Sequence, residues 1–540
     1  MYEKLTELIS EGNYNEALYE LQEEYVRFDK ADPHEAAGLC VLEATLWELL
    51  NDSTAEFDAI KKGLGLDPYN YELLYMLSLF YRNININKSY LCAEMALFHC
   101  DNKSDREVIL EDITALKENP AMRVRDTAVV ILSYNDAEIL KDSIKSVEES
   151  LPPDKLEIVV VDNASTDPTV IPYLREKAGS APYTFRLIEN SENLGFAAGC
   201  NMGAAACSRD KDIFFLNNDA VLMPNSLFFL RMGLYEKRDV GACSALSNSA
   251  SLQEIPEEEI LPGRGTVPRG EMLPEGETLP EGETPSGGEL SDVRWHRRVG
   301  YRSALEIFRK FSASRVVPVR NPYLKCFRLT GFALLVSRDA LQAVAPDGKV
   351  FDEYFSPAYF EDDDLGIRIA VAGFEQYLCT NSLIYHNGGS GFDGNDLMEK
   401  GRQKFIDKWG FDVWGYCVPF EEGIRKILSL SSDGKKTLRI IDFTCGLGAT
   451  AAVIKRLLPA SFVAGVCPTP FEAGIASRIA DDVAFGDLNS MRLPWEKHSF
   501  DVAITEKGLV GKCILSECLK KDGVIISDCS APECAEAFNN

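Results

Sequence analysis

Along the amino-terminal part of the chain, apolar residues recur at the three- and four-residue spacing of an amphipathic helix. Leu5, Leu8 and Ile9 share one face of a first predicted helix, and Leu18 and Leu21 share one face of a second. The pattern in this part of the chain is helical throughout. We therefore expect an all-α domain over residues 1–120.

Two segments between these predicted helices resemble parts of a tetratricopeptide-like repeat, a helical hairpin of about 34 residues. Gly12-Asn13-Tyr14 resembles the turn inside such a hairpin, and Leu66-Asp67-Pro68 resembles the junction between two of them. The resemblance implies a stack of helical hairpins. Such a stack either offers a groove to a peptide or partner, or serves as a packing or dimerisation surface, and the sequence fits both interpretations.

From Thr127 onward, apolar runs of strand length alternate with helical patterns. Predominantly apolar runs are typical of strands that are buried on both faces of a parallel sheet. Leu140, Ile144 and Val147 share one face of the helix between the first two runs. Strand, helix and strand form a right-handed βαβ unit, and its repetition predicts a parallel α/β sheet. The predicted strands are residues 127–133, 156–161, 185–189 and 213–217.

Polar side chains follow the predicted strands. Ser133, Tyr134 and Asn135 stand at the end of the first strand, and Asp162 and Asn163 follow the second. Ligands of an open α/β sheet bind at the carboxyl ends of its strands. Short polar side chains at this edge can hydrogen-bond a pyrimidine ring, or they can form an Asx-type turn that begins the next helix.

Two further loops suggest an anion and a cation at the same edge. Asn193, Gly195 and Asn201 belong to a glycine-containing segment before a helix, where backbone N–H groups can approach a negatively charged ligand; a simple tight turn has the same pattern. Asn218 and Asp219 end an apolar strand with oxygen ligands that suit Mg²⁺ or Mn²⁺. The alternative for Asp219 is a helix N-cap.

Taken together, the segments VVILSYN, VVVDNASTD, NLGFAAGCNMG and FFLNNDAVLMPNSL resemble family 2 glycosyltransferases of the GT-A fold in order and spacing. Further along, TGFALL resembles the family's acceptor-side strand, FEDDDL its acidic base motif, and YHNGGS its terminal histidine loop. The resemblance implies a Rossmann-like nucleotide-diphospho-sugar transferase domain, which we place at residues 121–420. It also implies an inverting, metal-dependent transfer of a sugar from a nucleoside diphosphate.

The resemblance assigns roles to individual positions. Asp362 would be the general base, with Glu361 assisting it or contacting the acceptor. Asp219 would hold Mn²⁺ or Mg²⁺, and His386 would add a metal ligand or a phosphate contact; the alternative for His386 is a core or surface histidine. In contrast to the family's usual pair of aspartates, Asn217 and Asn218 precede a single aspartate, as in its rhamnosyltransferase-like branch. The positions that match nucleotide-sugar contacts are Ser133, Tyr134, Asn135, Asp162, Asn163, Asn193, Gly195, Asn201, Asn218 and Asp219.

Four successive acids, Glu361 to Asp364, form the base motif. Repulsion among them should raise the pKa of at least one carboxyl group and favour a proton-accepting role. The alternative is a solvated acidic helix start that is stabilised by the helix dipole.

A stretch rich in proline, glycine and glutamate interrupts the central region at residues 251–292, with LPEGET repeated at 273–278 and 279–284. Such a composition cannot bury enough apolar surface to offset the entropy of ordering. We expect a flexible acidic insert that is a neutral surface feature; the alternative is a cover over the acceptor side.

The last part of the chain, residues 421–540, restarts an α/β alternation. The turn around Gly446 and Gly448 resembles the first motif of class I methyltransferases, beneath S-adenosylmethionine. Cys467-Pro468 replaces the acidic residue expected to bind the ribose, and there is no room for the last two strands. We expect a small Rossmann-like module that is degenerate, binds no S-adenosylmethionine and serves packing or a partner; an active methyltransferase is the alternative.

Composition narrows the functional classes. A chain of 540 residues suggests about three to four domains. The net charge of −28 argues against binding of nucleic acid or an anionic membrane. No apolar run reaches the roughly 20 residues of a membrane span, and the acidic start is no secretory signal. The 15 scattered cysteines suggest reduced thiols, so we expect a cytoplasmic protein.

The donor and acceptor follow only from resemblance. We expect UDP-N-acetylglucosamine first and a dTDP sugar such as dTDP-rhamnose second. Because the domain combination resembles bacterial enzymes that glycosylate flagellin, the expected acceptor is a Ser or Thr hydroxyl of a protein. The alternatives are a rhamnosyl- or other sugar transferase of cell-surface polysaccharide or lipid-linked glycan synthesis, and a non-catalytic nucleotide-sugar-binding scaffold. A homo-oligomer is also compatible with the sequence.

Overall fold

The computed structural model describes residues 3–28, 32–261, 294–388, 394–431, 436–488, 490–506 and 508–528. Most of the acidic insert predicted at 251–292 lies outside these residues, as do Gly389 and Ser390 of the predicted histidine loop. Residues 251–261, which we expected to be flexible, instead pack on the central domain. Gln253 is buried there, and its amide nitrogen donates to the Ser244 hydroxyl, 2.7 Å away.

The amino-terminal domain is helical, as the pattern of apolar residues predicts. Aspartate or asparagine begins successive helices, because a short side-chain oxygen accepts from the free N–H groups of the first turn. Asp52, Asn70, Asn85 and Asn102 do so. The tetratricopeptide resemblance itself stays a prediction. The helices are α1 Glu3–Ser10, α2 Tyr14–Phe28, α3 Pro33–Leu49, α4 Ser53–Leu66, α5 Tyr71–Tyr81, α6 Ile86–His99 and α7 Lys103–Lys117.

The central domain is an α/β domain built on a mixed sheet. Its strands are β1 Thr127–Ser133, β2 Glu157–Asp162, β3 Thr184–Glu189, β4 Asp212–Asn217, β5 Ala220–Leu222, β6 Val240–Leu246, β7 Tyr323–Lys325, β8 Ala333–Val336 and β9 Glu375–His386. Its helices are α8 Ala137–Glu148, α9 Val170–Ser180, α10 Gly195–Ala206, α11 Ser226–Leu234, α12 Glu257–Ile260, α13 Trp295–Val299, α14 Tyr301–Ser312, α15 Arg338–Val344, α16 Glu361–Val371, α17 Gly394–Trp409 and α18 Val413–Tyr416.

The strand order of this sheet is β3-β2-β1-β4-β8-β6-β9-β5, with β7 beside β9. The first four strands are parallel, as predicted, and β8 pairs antiparallel with β4 and β6. Strand β9 is long enough to pair with β6 and then with β5. Strands β1, β2 and β4 are buried and mostly apolar, as expected for strands covered on both faces, whereas the edge strand β3 alternates polar and apolar residues and is partly exposed.

A smaller parallel sheet follows, with the order β12-β11-β10-β13-β14. Its strands are β10 Arg439–Asp442, β11 Phe462–Cys467, β12 Asp482–Phe485, β13 Phe500–Glu506 and β14 Leu519–Asp528, and its helices are α19 Glu421–Leu430, α20 Ala449–Leu457, α21 Pro470–Ala476 and α22 Lys512–Cys518. Tyr416 covers its glycine turn: a Cβ on Gly446 would lie 3.1 Å from the Tyr416 carbonyl oxygen. The degenerate methyltransferase assignment stays a prediction.

The helical domain is joined to the central domain by a buried ion pair. Arg231 on α11 and Glu94 on α6 are both buried and paired, and Lys155 also bonds to Glu94. Nearby, Asn225 donates to the Pro68 carbonyl at 2.6 Å. Part of the helical surface is thus used for packing, one of the two roles considered for this domain. Among the described residues, no helix is long and apolar enough to span a membrane.

The buried pair generates a prediction about stability and pH. Burial alone would raise the pKa of the Glu94 carboxyl, but the charges and hydrogen bonds of Arg231 and Lys155 hold it below its usual value. A lowered pKa adds stability that is present above the unfolded value of about 4.3 and is lost as the pH falls through the folded value. We expect Glu94→Gln to cost about 3–5 kcal/mol at pH 7, because it leaves Arg231 buried without its charge partner.

Urea unfolding at pH 7 and pH 3.5 measures this effect, and the deficit of Glu94→Gln should shrink at the lower pH. The control is Glu306→Gln, which removes an exposed pair with Lys310 and should leave the unfolding midpoint nearly unchanged. Equal midpoints for the two variants at pH 7 would contradict the structural role of the buried pair.

Candidate active site

A cavity of about 820 Å³ opens at the carboxyl edge of the parallel strands. The loops after β1, β2 and β4 line it on one side, and the start of α16 lines it on the other. The predicted site residues that line this cavity are Tyr134, Asn163, Asn193, Gly195, Asn218, Asp219, Glu361, Asp362 and His386.

Asp219 is a buried carboxylate that follows β4 and meets the end of β9. Its Oδ1 lies 3.2 Å from His386 Nε2, and its Oδ2 accepts from the Gly388 N–H at 2.9 Å. Burial opposes ionisation, but the charge and hydrogen bond of His386 and the Gly388 N–H lower the pKa of Asp219 below its usual value. Conversely, burial would lower the pKa of His386, and Asp219 raises it overall.

The hydrogen bonds of His386 define what its second nitrogen can do. Nδ1 lies 2.6 Å from the Ser249 carbonyl oxygen, which can only accept, so Nδ1 carries a proton. Nε2 faces the Asp219 carboxylate, and a lone pair in this position would be repelled unless a cation lay between them. The cation is either a second proton on the imidazole or a metal ion.

The donor set suits a divalent cation that is shared with a substrate. It offers one carboxylate, one imidazole nitrogen and the neighbouring amides of Asn217 and Asn218. Mn²⁺ and Mg²⁺ accept carboxylate and carbonyl oxygens and commonly complete their coordination with phosphate oxygens and water. Within the described ranges, no cluster of three or more His, Cys, Asp or Glu side chains could hold a metal ion. The remaining ligands would therefore come from amide oxygens, the substrate or water.

The four successive acids occupy four different environments. Asp364 is fully buried and accepts from Arg368 at 2.8 Å and from the Trp409 indole at 3.0 Å. Asp363 is paired with Arg328 at 2.7 Å. Glu361 and Asp362, like Asp363, line the cavity.

Glu361 is buried, and its Oε2 has no hydrogen-bond partner among the described residues. Burial and the charge of Asp362 raise the pKa of Glu361 well above its usual value, which favours the neutral form of this carboxyl. The same two causes raise the pKa of Asp363 to about 7. The expected elevation of at least one pKa in this motif is therefore present.

Asp362 is the half-buried acid of the group. Its Oδ2 accepts from the Gly331 N–H and its Oδ1 from the Asp363 N–H, both at 2.8 Å. Two fixed N–H donors orient the carboxylate, and each oxygen retains a lone pair for a further hydrogen bond. Asp362 can therefore accept a proton from a group bound in the cavity.

A short segment before β8 connects the two ends of the site. Gly331 donates to Asp362, and the ring of the next residue, Phe332, lies 5.0 Å from that of His386. The Phe332 carbonyl accepts from the Asn217 N–H at 2.8 Å. Asp219 and Asp362 thus line one cavity, as the sequence predicts, although they are far apart in the chain.

The glycine loop before α10 is held by asparagines. The Asn163 amide donates to Asn193 Oδ1 at 2.8 Å, and Asn193 Oδ1 accepts from the Gly195 N–H at 2.9 Å. Gly195 has φ +82°, and a Cβ there would lie 2.8 Å from the Pro357 carbonyl oxygen. The loop therefore requires glycine at this position.

Four predicted contact residues are not among the residues that line the cavity. Ser133 is fully buried in the sheet. Asn135 Oδ1 accepts from the Thr166 and Asp167 N–H groups, which holds the neighbouring loop. Asp162 forms an Asx-type turn with Ser165, the alternative considered above. Asn201 is buried and exchanges hydrogen bonds with the Phe351 backbone at 2.8 and 2.9 Å.

Several lining residues escaped the sequence analysis. Arg294 and Arg297 lie at the Asp219 end, next to Ser249 and Gly388. Arg328 and Trp414 lie at the Asp362 end. The signal in the sequence for Arg294 and Arg297 is the basic stretch RWHRR, residues 294–298, which follows the acidic insert.

Part of the domain that contains this cavity matches a known protein family. Residues 128–249 match the family model described as glycosyl transferase family 2. The expected enzyme class, a glycosyltransferase, is thereby confirmed. No curated protein matches the chain significantly.

Three solved structures are distantly similar to the chain. GalNAc-T7 with UDP, GalNAc and Mn²⁺ is 14% identical over 58% of this chain and 54% of its own, with a TM-score of 0.37. The mannosyltransferase PcManGT from Pyrobaculum calidifontis, with GDP-Man and Mn²⁺, is 14% identical over 72% and 85%, with a TM-score of 0.34. TarS from S. aureus with UDP-GlcNAc is 13% identical over 62% and 81%, with a TM-score of 0.31. Likeness at this level carries no argument about donor or acceptor.

The glycine loop provides a first test of the site. Gly195→Ala places a side chain at positive φ and against a backbone carbonyl, so we expect a loss of about 1–3 kcal/mol in stability and weaker nucleotide binding. Thermal unfolding and nucleotide titration measure the two effects. The matched control is Gly179→Ala in α9, where a Cβ meets nothing within 4 Å and alanine is the better helix former. Similar behaviour of both variants would argue against the strained loop.

The raised pKa of Glu361 predicts how the stability of the folded protein depends on pH. A pKa raised by folding reduces stability as the pH climbs above the unfolded value of about 4.3, because the unfolded chain then ionises more readily than the folded one. Glu361→Gln removes this titration, so its stability relative to the natural protein should increase from pH 5 to pH 8. Urea unfolding at both values measures it, with exposed Glu107→Gln as control. A constant difference would show that Glu361 is already ionised in the folded protein.

Proposed function

We propose that this protein is an inverting, metal-dependent glycosyltransferase that moves a sugar from a nucleoside diphosphate to a hydroxyl group. The observation that supports this most strongly is the presence of Asp219 with His386, and of Asp362, in one cavity at the carboxyl edge of the sheet. Inversion follows when a base deprotonates the acceptor on the face opposite the leaving group.

At the donor end, Asp219 and His386 would hold Mn²⁺ or Mg²⁺, with the amides of Asn217 and Asn218 close by. A bound cation would neutralise the charge that develops on the leaving diphosphate. Asn193 and Gly195 shape the nucleotide pocket through the fixed glycine loop. Tyr134, which is partly exposed at the cavity wall, contacts the nucleobase of the donor together with Asn163.

At the acceptor end, Asp362 removes the proton of the attacking hydroxyl. An alcohol is a poor nucleophile, and a carboxylate within hydrogen-bond reach accepts its proton as the bond to the anomeric carbon forms. Glu361, held neutral by burial, contacts the acceptor as a hydrogen-bond donor. Arg328 pairs with Asp363 and keeps this second acid out of the reaction.

The donor and acceptor rest on the sequence resemblance. The first candidate is transfer of N-acetylglucosamine from UDP-N-acetylglucosamine to Ser or Thr of a protein such as flagellin, and dTDP-rhamnose is the second donor. The alternatives are transfer to a cell-surface polysaccharide or lipid-linked glycan, and a scaffold that binds nucleotide sugars without turnover. The cytoplasmic location and a homo-oligomer stay predictions.

A panel of nucleotide sugars with Mn²⁺ or Mg²⁺ tests the function. Release of nucleoside diphosphate should depend on the cation and should increase when flagellin or another co-expressed protein is added. Labelled sugar in the polypeptide fraction supports a protein acceptor, whereas label found only in lipid or polysaccharide supports the alternative. No turnover with any donor, together with retained binding, would favour the scaffold.

Asp362→Asn tests the assignment of the base. The change retains the side-chain volume and can preserve at most one of the two N–H contacts, but it removes the proton acceptor, so we expect kcat to fall about 10²–10⁴-fold with little change in nucleotide affinity. The matched control is Glu361→Gln at the neighbouring position. It should retain most activity, because burial already favours the uncharged form of Glu361. A larger loss in Glu361→Gln than in Asp362→Asn would exchange the two roles.

A further inference from the structure

Two arginines of the cavity wall have no part in the function described so far. Arg294 directly precedes α13, and Arg297 belongs to it. Both line the catalytic cavity, and their hydrogen bonds place them at its Asp219 end. They follow the acidic insert in sequence and are far in the chain from the strands that carry the site.

Hydrogen bonds connect Arg297 to the buried carboxylate of Asp219 through one residue, Gly388. Its guanidinium donates to the Gly388 carbonyl oxygen, and the Gly388 N–H donates to Asp219 Oδ2 at 2.9 Å. Gly388 has φ +61°, and a Cβ there would lie 2.7 Å from the Ser249 hydroxyl oxygen. The turn at Gly388 therefore bonds to Arg297 through its carbonyl and to Asp219 through its N–H.

Arg294 reinforces this arrangement from the other side. Its guanidinium donates to the Ser249 hydroxyl, and the Ser249 carbonyl accepts from His386 Nδ1. Arg294 also pairs with Glu254 at 3.1 Å, so its charge is partly compensated within the protein. It acts as a support for the turn more than as a free cation.

The charge of Arg297, by contrast, is not paired with a carboxylate among the described residues. Of the other arginines in the cavity wall, Arg294 pairs with Glu254 and Arg328 with Asp363. Arg297 is exposed, and across the described parts of the chain its hydrogen bond is to a carbonyl and no carboxylate pairs with it. A guanidinium with free N–H donors in a cavity suits a phosphate, which it can bind through two parallel hydrogen bonds.

The ligands available at the proposed cation site suggest a role for the positive charge of Arg297. Asn217 and Asn218 stand beside Asp219 where further carboxylates would strengthen cation binding, and amide oxygens are weaker ligands for hard cations. A cation held by a single carboxylate binds the protein more weakly, so a positive charge that is fixed to the protein would retain the diphosphate whether or not the metal is bound. We propose that Arg297 binds the diphosphate of the donor and supplies this fixed positive charge, with Arg294 holding the turn in place. This inference rests on the proposed function.

Calorimetric titration with UDP, dTDP, GDP and ADP, in EDTA and again with Mn²⁺, tests the proposal. We expect Arg297→Gln to weaken binding of the preferred nucleoside diphosphate about tenfold or more in both conditions, as the loss of a charge-assisted hydrogen bond predicts. Arg297→Lys keeps the charge and should lose less. The corresponding nucleoside, followed by ligand-observed NMR, should bind both variants as it binds the natural protein, which shows that the pocket is intact.

The matched control is Arg298→Gln on the same helix. Arg298 pairs with Glu257 outside the cavity wall, and its replacement should leave nucleoside diphosphate binding unchanged. Unchanged diphosphate binding by Arg297→Gln, or an equal loss of nucleoside binding, overturns the role of Arg297 and leaves the proposed function standing. Failure of the natural protein to bind any nucleoside diphosphate overturns both.

Discussion

A buried carboxylate must be paired with positive charge to stay ionised, and the whole donor end of the cavity depends on how Asp219 meets this requirement. Its partner, His386, comes from β9, which pairs with β5 so that Ala220 lies opposite His386. A shift of one residue in this ladder would turn the imidazole to the other face of the sheet. The register of two strands therefore decides whether Asp219 faces the imidazole of His386 or an apolar side chain.

At the Asp362 end of the cavity, the fold places two neighbouring acids, Glu361 and Asp362, in different environments. Tyr359 and Phe360 both have positive φ, and the turn they form directs the first residues of α16 into the cavity wall. Burial raises the pKa of Glu361, whereas Asp362 stays half-buried and accepts from two N–H donors. Divergent environments for adjacent carboxyl groups are a general way to separate acid, base and structural roles.

The sequence predicts what is local and repeated. Strand β1 comprises the predicted residues 127–133, because an uninterrupted apolar run is compatible with few other structures. Asp162 and Asn201 could not be separated from ligand contacts, because a polar residue at a strand end looks the same whether it bonds its own loop or a substrate. The position of Arg297 depends on a carbonyl 91 residues away, so no local pattern contains it.

The carboxyl-terminal module is tied to the catalytic cavity through one short helix. Tyr416 of α18 packs on the glycine turn before α20, and its carbonyl accepts from the Leu447 N–H at 3.4 Å. Two residues earlier, Trp414 lines the cavity, with the Arg402 guanidinium 4.7 Å from its ring centroid. The chain itself thus covers the turn at Gly446. The two contacts, made by Tyr416 and Trp414 of one helix, consequently join the carboxyl-terminal module to the wall of the cavity.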